Sequence, residues 1–94
     1  MGHTYTIKYQ PESMMKNLCG ETVFEGRIIR IRENMSEPEI ESTLLHEVIH
    51  AVLSESGVTY LMSTKMDEAI TRAIESGLAP LVTFRVPRKA RNAT

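Results

Sequence analysis

One long amphipathic helix with defined ends is the feature that most constrains the fold. Ser36 followed by Glu39 forms a capping box, the pattern that starts a helix. Gly57 suits the C-terminal stop. Between them, apolar residues recur at helical spacing and cover one broad face: Ile40, Leu44, Leu45, Val48, Ile49, Val52 and Leu53. The sequence therefore predicts a helix from Ser36 to Gly57 that buries one face against the rest of the protein.

Two histidines on this helix have the spacing that binds one metal ion. His46 and His50 lie four residues apart, so a helix points both imidazoles the same way. They flank the apolar face, where partial exclusion of water strengthens coordination. Glu47 sits about 100° further round the helix, where it can reach a metal-activated water without being a ligand. The pattern predicts a metal site, with Zn²⁺ as the expected ion and Glu47 as a general base.

The amino-acid composition excludes some kinds of cross-link and metal site and disfavours some partners. Cys19 is the only cysteine, which excludes an internal disulfide and a four-cysteine zinc site. Eleven basic and twelve acidic side chains give a formal net charge of -1, so no global field favours nucleic acid or membrane. No apolar run is long enough to span a membrane and no secretory signal is visible, so we expect a cytoplasmic protein.

The N-terminal part predicts strands. Thr4 to Tyr9 alternate in polarity, which is typical of a half-buried strand. Glu21 to Phe24 and Arg27 to Arg32 then read as a hairpin with its turn at Glu25-Gly26. The arginines of the second hairpin strand are typical of an exposed sheet edge.

A second helix is predicted to begin near Ser63 or Thr64, and Gly77 and Pro80 leave its end open. Residues 81–86 either extend it or return as a short strand. We therefore expect an α+β fold: a small, about three-stranded, mostly antiparallel sheet packed on the histidine-bearing helix and on this second helix. The 94 residues suit one domain over 1–94, with a flexible tail over 88–94.

A catalytic zinc usually has three protein ligands, so a third must come from outside the first helix. The second helix opens with Asp67 and Glu68, and its first turn can lie against the first helix after one chain reversal. Helical periodicity favours Asp67, which lies nearer the apolar face, whereas Glu68 has the longer side chain. His3 is a less suitable ligand, since a lone terminal histidine is usually solvated.

A resemblance to known proteins bears on the choice between Asp67 and Glu68 as the third ligand. The segments His46-Glu47-Val48-Ile49-His50 and Asp67-Glu68-Ala69-Ile70-Thr71 resemble the gluzincins, which include thermolysin. The third ligand in that family is the glutamate of an Asn-Glu-Ala-Ile-Ser-like stretch, so the resemblance implies Glu68. Size and layout look still more like the minimal phage and bacterial zincins and the core of the ImmA/IrrE family, over roughly Arg27 to Val82. The extra subdomains of thermolysin have no counterpart here, so their substrate-stabilising residues are not carried over.

The resemblance implies a zinc-dependent metallopeptidase acting on a peptide or protein substrate. His46, His50 and Glu68 would hold the metal, and the strand Arg27–Arg32 is our candidate edge for an extended substrate. Two alternatives stay open: a non-catalytic zincin-fold interaction module, which could be phage-encoded, and a DNA-associated regulator. The second would use the basic tail residues Arg85, Arg88, Lys89 and Arg91. No stacking aromatics accompany those residues, so nucleic acid is not the expected partner. The oligomeric state is left open.

Overall fold

The computed structural model describes residues 4–91 and has an α+β architecture, as predicted. Its strands are β1 (Thr6–Gln10), β2 (Gly20–Val23) and β3 (Ile28–Arg32), and its helices are α1 (Glu37–Glu55) and α2 (Thr64–Leu78). Short 3-10 turns follow β1 and α1. His3 lies outside the described residues. Within residues 4–91, no helix has the length and apolar character needed to cross a membrane.

The three strands form one mixed sheet in the order β1-β3-β2. The predicted hairpin is confirmed: β2 and β3 pair antiparallel, and the turn is closed by a 3.2 Å hydrogen bond from Arg27 N–H to the Phe24 carbonyl. β1 instead pairs parallel with β3, starting with Thr6 opposite Ile28. The expectation of a mostly antiparallel sheet is thus corrected to a mixed one. The reason is that the chain crosses from one edge of the sheet to the other between β1 and β2.

The strand that we expected at a sheet edge, β3, is the central strand. Its side chains alternate: Ile29 and Ile31 face the core, with exposed fractions of 2% and 0%. Arg30 points to the other face and pairs with Glu21 of β2 at 2.7 Å. A sheet that is covered on one side tolerates charge on its open side at any strand, so the arginines do not mark an edge. The edges are β1 and β2.

The ends of α1 follow the predicted signals. The Ser36 hydroxyl accepts a hydrogen bond from Glu39 N–H, and the Glu39 carboxylate accepts one from Ser36 N–H at 3.2 Å, which completes the capping box. The Ser36 hydroxyl also donates a hydrogen bond to the Glu39 carboxylate at 2.7 Å, and this bond, together with the one from Ser36 N–H, lowers the pKa of Glu39. At the other end Gly57 has φ of 82°, the left-handed conformation that favours glycine after a helix.

The core lies between the inner face of the sheet and α1. Its buried members come mostly from β3, α1 and the C-terminal segment: Ile29, Ile31, Met35, Ile40, Leu44, Ala51, Val86 and Ala90. The helix α2 is capped by Ser63, whose hydroxyl accepts from Met66 N–H at 3.1 Å, and it runs through Gly77. Thr71 is its one buried residue among those described. α2 is therefore attached to the core much less firmly than α1.

The chain after α2 forms neither the helix extension nor the strand that the sequence allowed. It runs as an irregular segment along the core, where Val86 is 8% and Ala90 2% exposed. The Ala90 carbonyl accepts a hydrogen bond from Asn34 N–H at 2.6 Å, and Arg91 forms an ion pair with Glu37. Within the expected flexible tail, Ala90 is buried and Arg91 half-buried, Arg88 and Lys89 are exposed, and residues 92–94 lie outside the described range.

Candidate metal site

Three side chains able to bind a metal meet between α1 and α2. His46 and His50 come from consecutive turns of α1, and Glu68 comes from the first half of α2. One ligand atom from each lies within 4.8 Å of the other two, so this group could hold a metal ion. The two Nε2 atoms are 3.1 Å apart, and the Glu68 oxygens lie 3.0 Å from His50 Nε2 and 3.8 Å from His46 Nε2. Ligand atoms of a tetrahedral zinc lie about 3.4 Å from one another, so the spacing fits such an ion.

The group contains the three residues that the sequence analysis named as ligands. Asp67, the alternative, lies beside it but faces the other ring nitrogen of His50, with Oδ1 3.5 Å from Nδ1. The buried Thr71 donates a hydrogen bond to the same Asp67 oxygen at 3.2 Å. The two carboxylates that open α2 therefore occupy different places: Glu68 in the ligand group and Asp67 behind one of the histidines.

A further carboxylate, that of Glu75, lies at the site and was not predicted from the sequence. Its Oε1 lies 3.0 Å from His46 Nδ1, and its Oε2 accepts a hydrogen bond from the Ser42 hydroxyl at 3.3 Å. Glu75 follows Glu68 by seven residues, about two helical turns, so both project from one face of α2. That spacing is the sequence signal that could have identified it. Each histidine thus has a carboxylate on its outer nitrogen, an arrangement that fixes ring orientation in metal sites.

The hydrogen-bonding partners of the two histidines leave the inner ring nitrogens suited to bind a metal ion. A carboxylate can only accept, so Glu75 requires His46 Nδ1 to be the donor, and Asp67 favours the same for His50. A neutral imidazole that donates from Nδ1 has a lone pair on Nε2. Two such nitrogens and the Glu68 carboxylate are electron-pair donors of the kind that metal ions bind, and they converge on one point.

Glu47 is not part of the ligand group. It is 8% exposed and lies on the side of α1 that faces β2. The Thr22 hydroxyl lies 2.8 Å from Glu47 Oε1 and 3.2 Å from the Glu47 carbonyl oxygen. The sequence predicted a role for Glu47 next to the metal, but it contained no signal that pairs Thr22 with this residue.

An open cavity of about 250 Å³ adjoins the site on the side of Glu47. Besides His46 and Glu47, its walls are formed by Cys19, Gly20, Ser42, Thr43 and Glu75. Most of these side chains are small, and the exposed Cys19 immediately precedes β2. The cavity gives a ligand access to Glu47 and His46 from the sheet side of α1.

Comparisons of the chain with protein-family models, with curated proteins and with solved structures find no match. The resemblance to gluzincins and to minimal zincins therefore stays a prediction from the two segments His46–His50 and Asp67–Thr71. A function assigned to this fold has to be argued from the chemistry of the site itself.

Proposed function

We propose that the protein is a zinc-dependent peptidase in which His46, His50 and Glu68 bind the metal and Glu47 is the general base. The observation that carries this proposal is the convergence of two imidazole Nε2 atoms and one carboxylate within 4.8 Å. Outer carboxylates on both histidines support it, because they hold the rings with Nε2 directed at the shared point.

Zinc is the ion that best suits two imidazoles and one carboxylate with a position left for water. When bound in such a site, zinc lowers the pKa of a coordinated water towards neutrality and polarises a substrate carbonyl. The protein groups then have two tasks. His46, His50 and Glu68 hold the ion, and Glu47 accepts the proton of the attacking water and delivers it to the leaving amine.

An extended peptide is the substrate class that the surroundings favour. β2 pairs with β3 on one side only, so its other edge offers backbone groups to an added strand. This strand holds Thr22, which contacts Glu47, so a peptide paired with β2 would pass next to the proposed base. β2 thus replaces the central strand β3 as our candidate for the substrate-binding edge.

Two measurements test the proposal. Zinc content is compared between the wild-type protein and His46→Ala, where we expect near-stoichiometric metal in the first and loss in the second. Hydrolysis of a broad peptide library is then compared between the wild type and Glu47→Gln, which should keep zinc and lose about 10²–10⁴-fold in rate. Equal metal in the first pair would refute the site, and stoichiometric zinc without hydrolysis by the wild type would refute the activity.

A non-catalytic interaction module is the second candidate, and one observation favours it. The connection between α1 and α2 exposes two large apolar side chains, Tyr60 and Leu61, to 89% and 86%. Such residues suit contact with another protein. Under this alternative, Glu47→Ala leaves partner binding intact whereas Leu61→Asp abolishes it. The DNA-associated alternative gains no support, since Arg91 of the basic segment is already paired with Glu37.

A further inference from the structure

The strand β2 approaches α1 very closely at the turn of helix that bears Glu47. Gly20 and Thr22, two residues apart on β2, both face this turn. A Cβ at Gly20 would lie 2.6 Å from Thr43 Cγ2 and 3.2 Å from Glu47 Cγ, so a side chain larger than hydrogen would push strand and helix apart. The glycine permits the approach that brings the Thr22 hydroxyl within hydrogen-bonding distance of Glu47.

The Thr22 hydroxyl contacts both the side chain and the backbone of Glu47. It donates to Oε1 at 2.8 Å and lies 3.2 Å from the backbone carbonyl oxygen. Within residues 4–91, Oε2 of Glu47 has no hydrogen-bond partner. A glutamate side chain has three rotatable bonds, and a threonine hydroxyl that holds one oxygen removes much of that freedom while leaving the other oxygen available.

We propose that Thr22 is a positioning residue for the general base: it holds Oε1 of Glu47 so that Oε2 is directed towards the water that attacks the substrate. This inference rests on the proposed peptidase function. Thr22 contacts neither the ligand group nor the reacting atoms, so its effect should appear in the rate of the chemical step and not in metal binding. General bases act efficiently only when held within hydrogen-bonding reach of the proton that they remove.

The test compares Thr22→Val, which keeps the shape and removes the donor, with Thr22→Ser, which keeps the donor. Thr59→Val is the matched control, because the buried Thr59 hydroxyl has no hydrogen-bond partner among residues 4–91. We expect Thr22→Val to lower kcat by about 10- to 100-fold with KM and zinc affinity changed by less than about threefold, as for a lost positioning contact. Thr22→Ser and Thr59→Val should both keep kcat within about threefold of the wild type.

A wild-type kcat in zinc-loaded Thr22→Val would overturn the inference and leave the peptidase proposal intact. Failure of Thr22→Ser to retain activity would overturn it as well, because the hydroxyl would then not be the group that matters. If Thr22→Val does not fold, Thr22→Ala removes the donor without adding volume and gives the same comparison. Absence of hydrolysis by the zinc-loaded wild type would remove the proposed function together with this inference.

Discussion

Glu75 lies 3.0 Å from Nδ1 of His46, and it comes from the same face of α2 as the proposed ligand Glu68. The helix α2 thus carries both a proposed metal ligand and the carboxylate that contacts a proposed ligand on α1. The consequence is that the geometry of His46 depends on how α2 lies against α1.

Glu75→Gln should weaken zinc binding by about 10- to 100-fold, the usual effect of losing a carboxylate behind a metal-bound histidine. The amide is nearly isosteric but is a weaker acceptor than a carboxylate. The dissociation constant is measured by competition with a chelating dye. Glu41→Gln on α1 is the control and should leave the affinity unchanged. An unchanged affinity for Glu75→Gln would show that the outer partner of His46 does not need to be negatively charged.

Asp67→Asn should weaken zinc binding less than Glu75→Gln does. The Asp67 oxygen lies 3.5 Å from His50 Nδ1, beyond the 3.0 Å contact that Glu75 makes with His46. A longer charge-assisted contact holds the imidazole less strongly, so its loss should affect zinc binding less. The same competition assay ranks the two variants, and the reverse order would contradict the assignment of Glu75 as the stronger of the two outer carboxylates.

Removal of the metal should loosen α2 before it affects α1. Thr71 is the one buried residue of α2, whereas α1 buries Ile40, Leu44, Leu45, Glu47, Ile49 and Ala51. An open apolar pocket of about 350 Å³ lies between α1, α2 and the segment that follows α2, so the two helices are not tightly packed there. Chelation should therefore raise amide hydrogen exchange in Thr64–Leu78 more than in Glu37–Glu55, and it should lower Tm. A uniform rise along both helices would contradict this order.

Gly20→Ala and Gly77→Ala should change stability in opposite directions. At Gly20 the added methyl meets Thr43 at 2.6 Å, and such overpacking costs about 1–3 kcal/mol. At Gly77 a Cβ meets nothing within 4 Å, and replacing glycine inside a helix gains about 0.5–1 kcal/mol. Denaturant unfolding of both variants measures the two effects. Equal stability of Gly20→Ala and the wild type would mean that β2 can move away from α1 at no cost.

Ala90→Asp should destabilise the protein by about 3 kcal/mol or more, because it places an unpaired charge in the core. Ala90 is 2% exposed and its backbone is hydrogen-bonded to Asn34. Ala73→Asp on the exposed side of α2 is the control, with an expected cost of under about 1 kcal/mol. Thermal unfolding distinguishes the two, and a small effect at Ala90 would indicate that residues 88–91 do not pack as described.

The features that the sequence predicted well are local ones. Interactions between residues close in sequence determine where α1 starts and stops, at Ser36 and Gly57. Such interactions also determine the shared direction of His46 and His50. Features of this kind can be predicted from the local sequence. The hairpin turn is local in the same sense. The central place of β3 could not be predicted, because it depends on β1, which is distant in sequence and could have paired elsewhere.

The supporting residues of the site depend on packing between elements. Thr22 faces Glu47 only because β2 lies against α1, and twenty-five residues separate the two. For Asp67 and Glu68, helical periodicity predicted which residue lies nearer the buried face, but it did not predict which one reaches the ligand group. Helical angle placed Asp67 nearer the buried face, and there it contacts His50, while the longer Glu68 reaches the ligand group. The burial of Ala90 had no signal at all in a run of charged neighbours.

The placement of the proposed ligands on two helices has a consequence for a chain whose only cysteine is Cys19. A metal held by His50 and Glu68 closes a loop of eighteen residues, as a disulfide would, and covalent closure of a loop of that size contributes roughly 3 kcal/mol. Coordination is reversible, however, so the strength of this cross-link rises and falls with the concentration of free metal. The folded fraction of the protein would then follow the supply of metal, and zinc starvation would expose the chain to proteolysis in addition to removing its proposed activity.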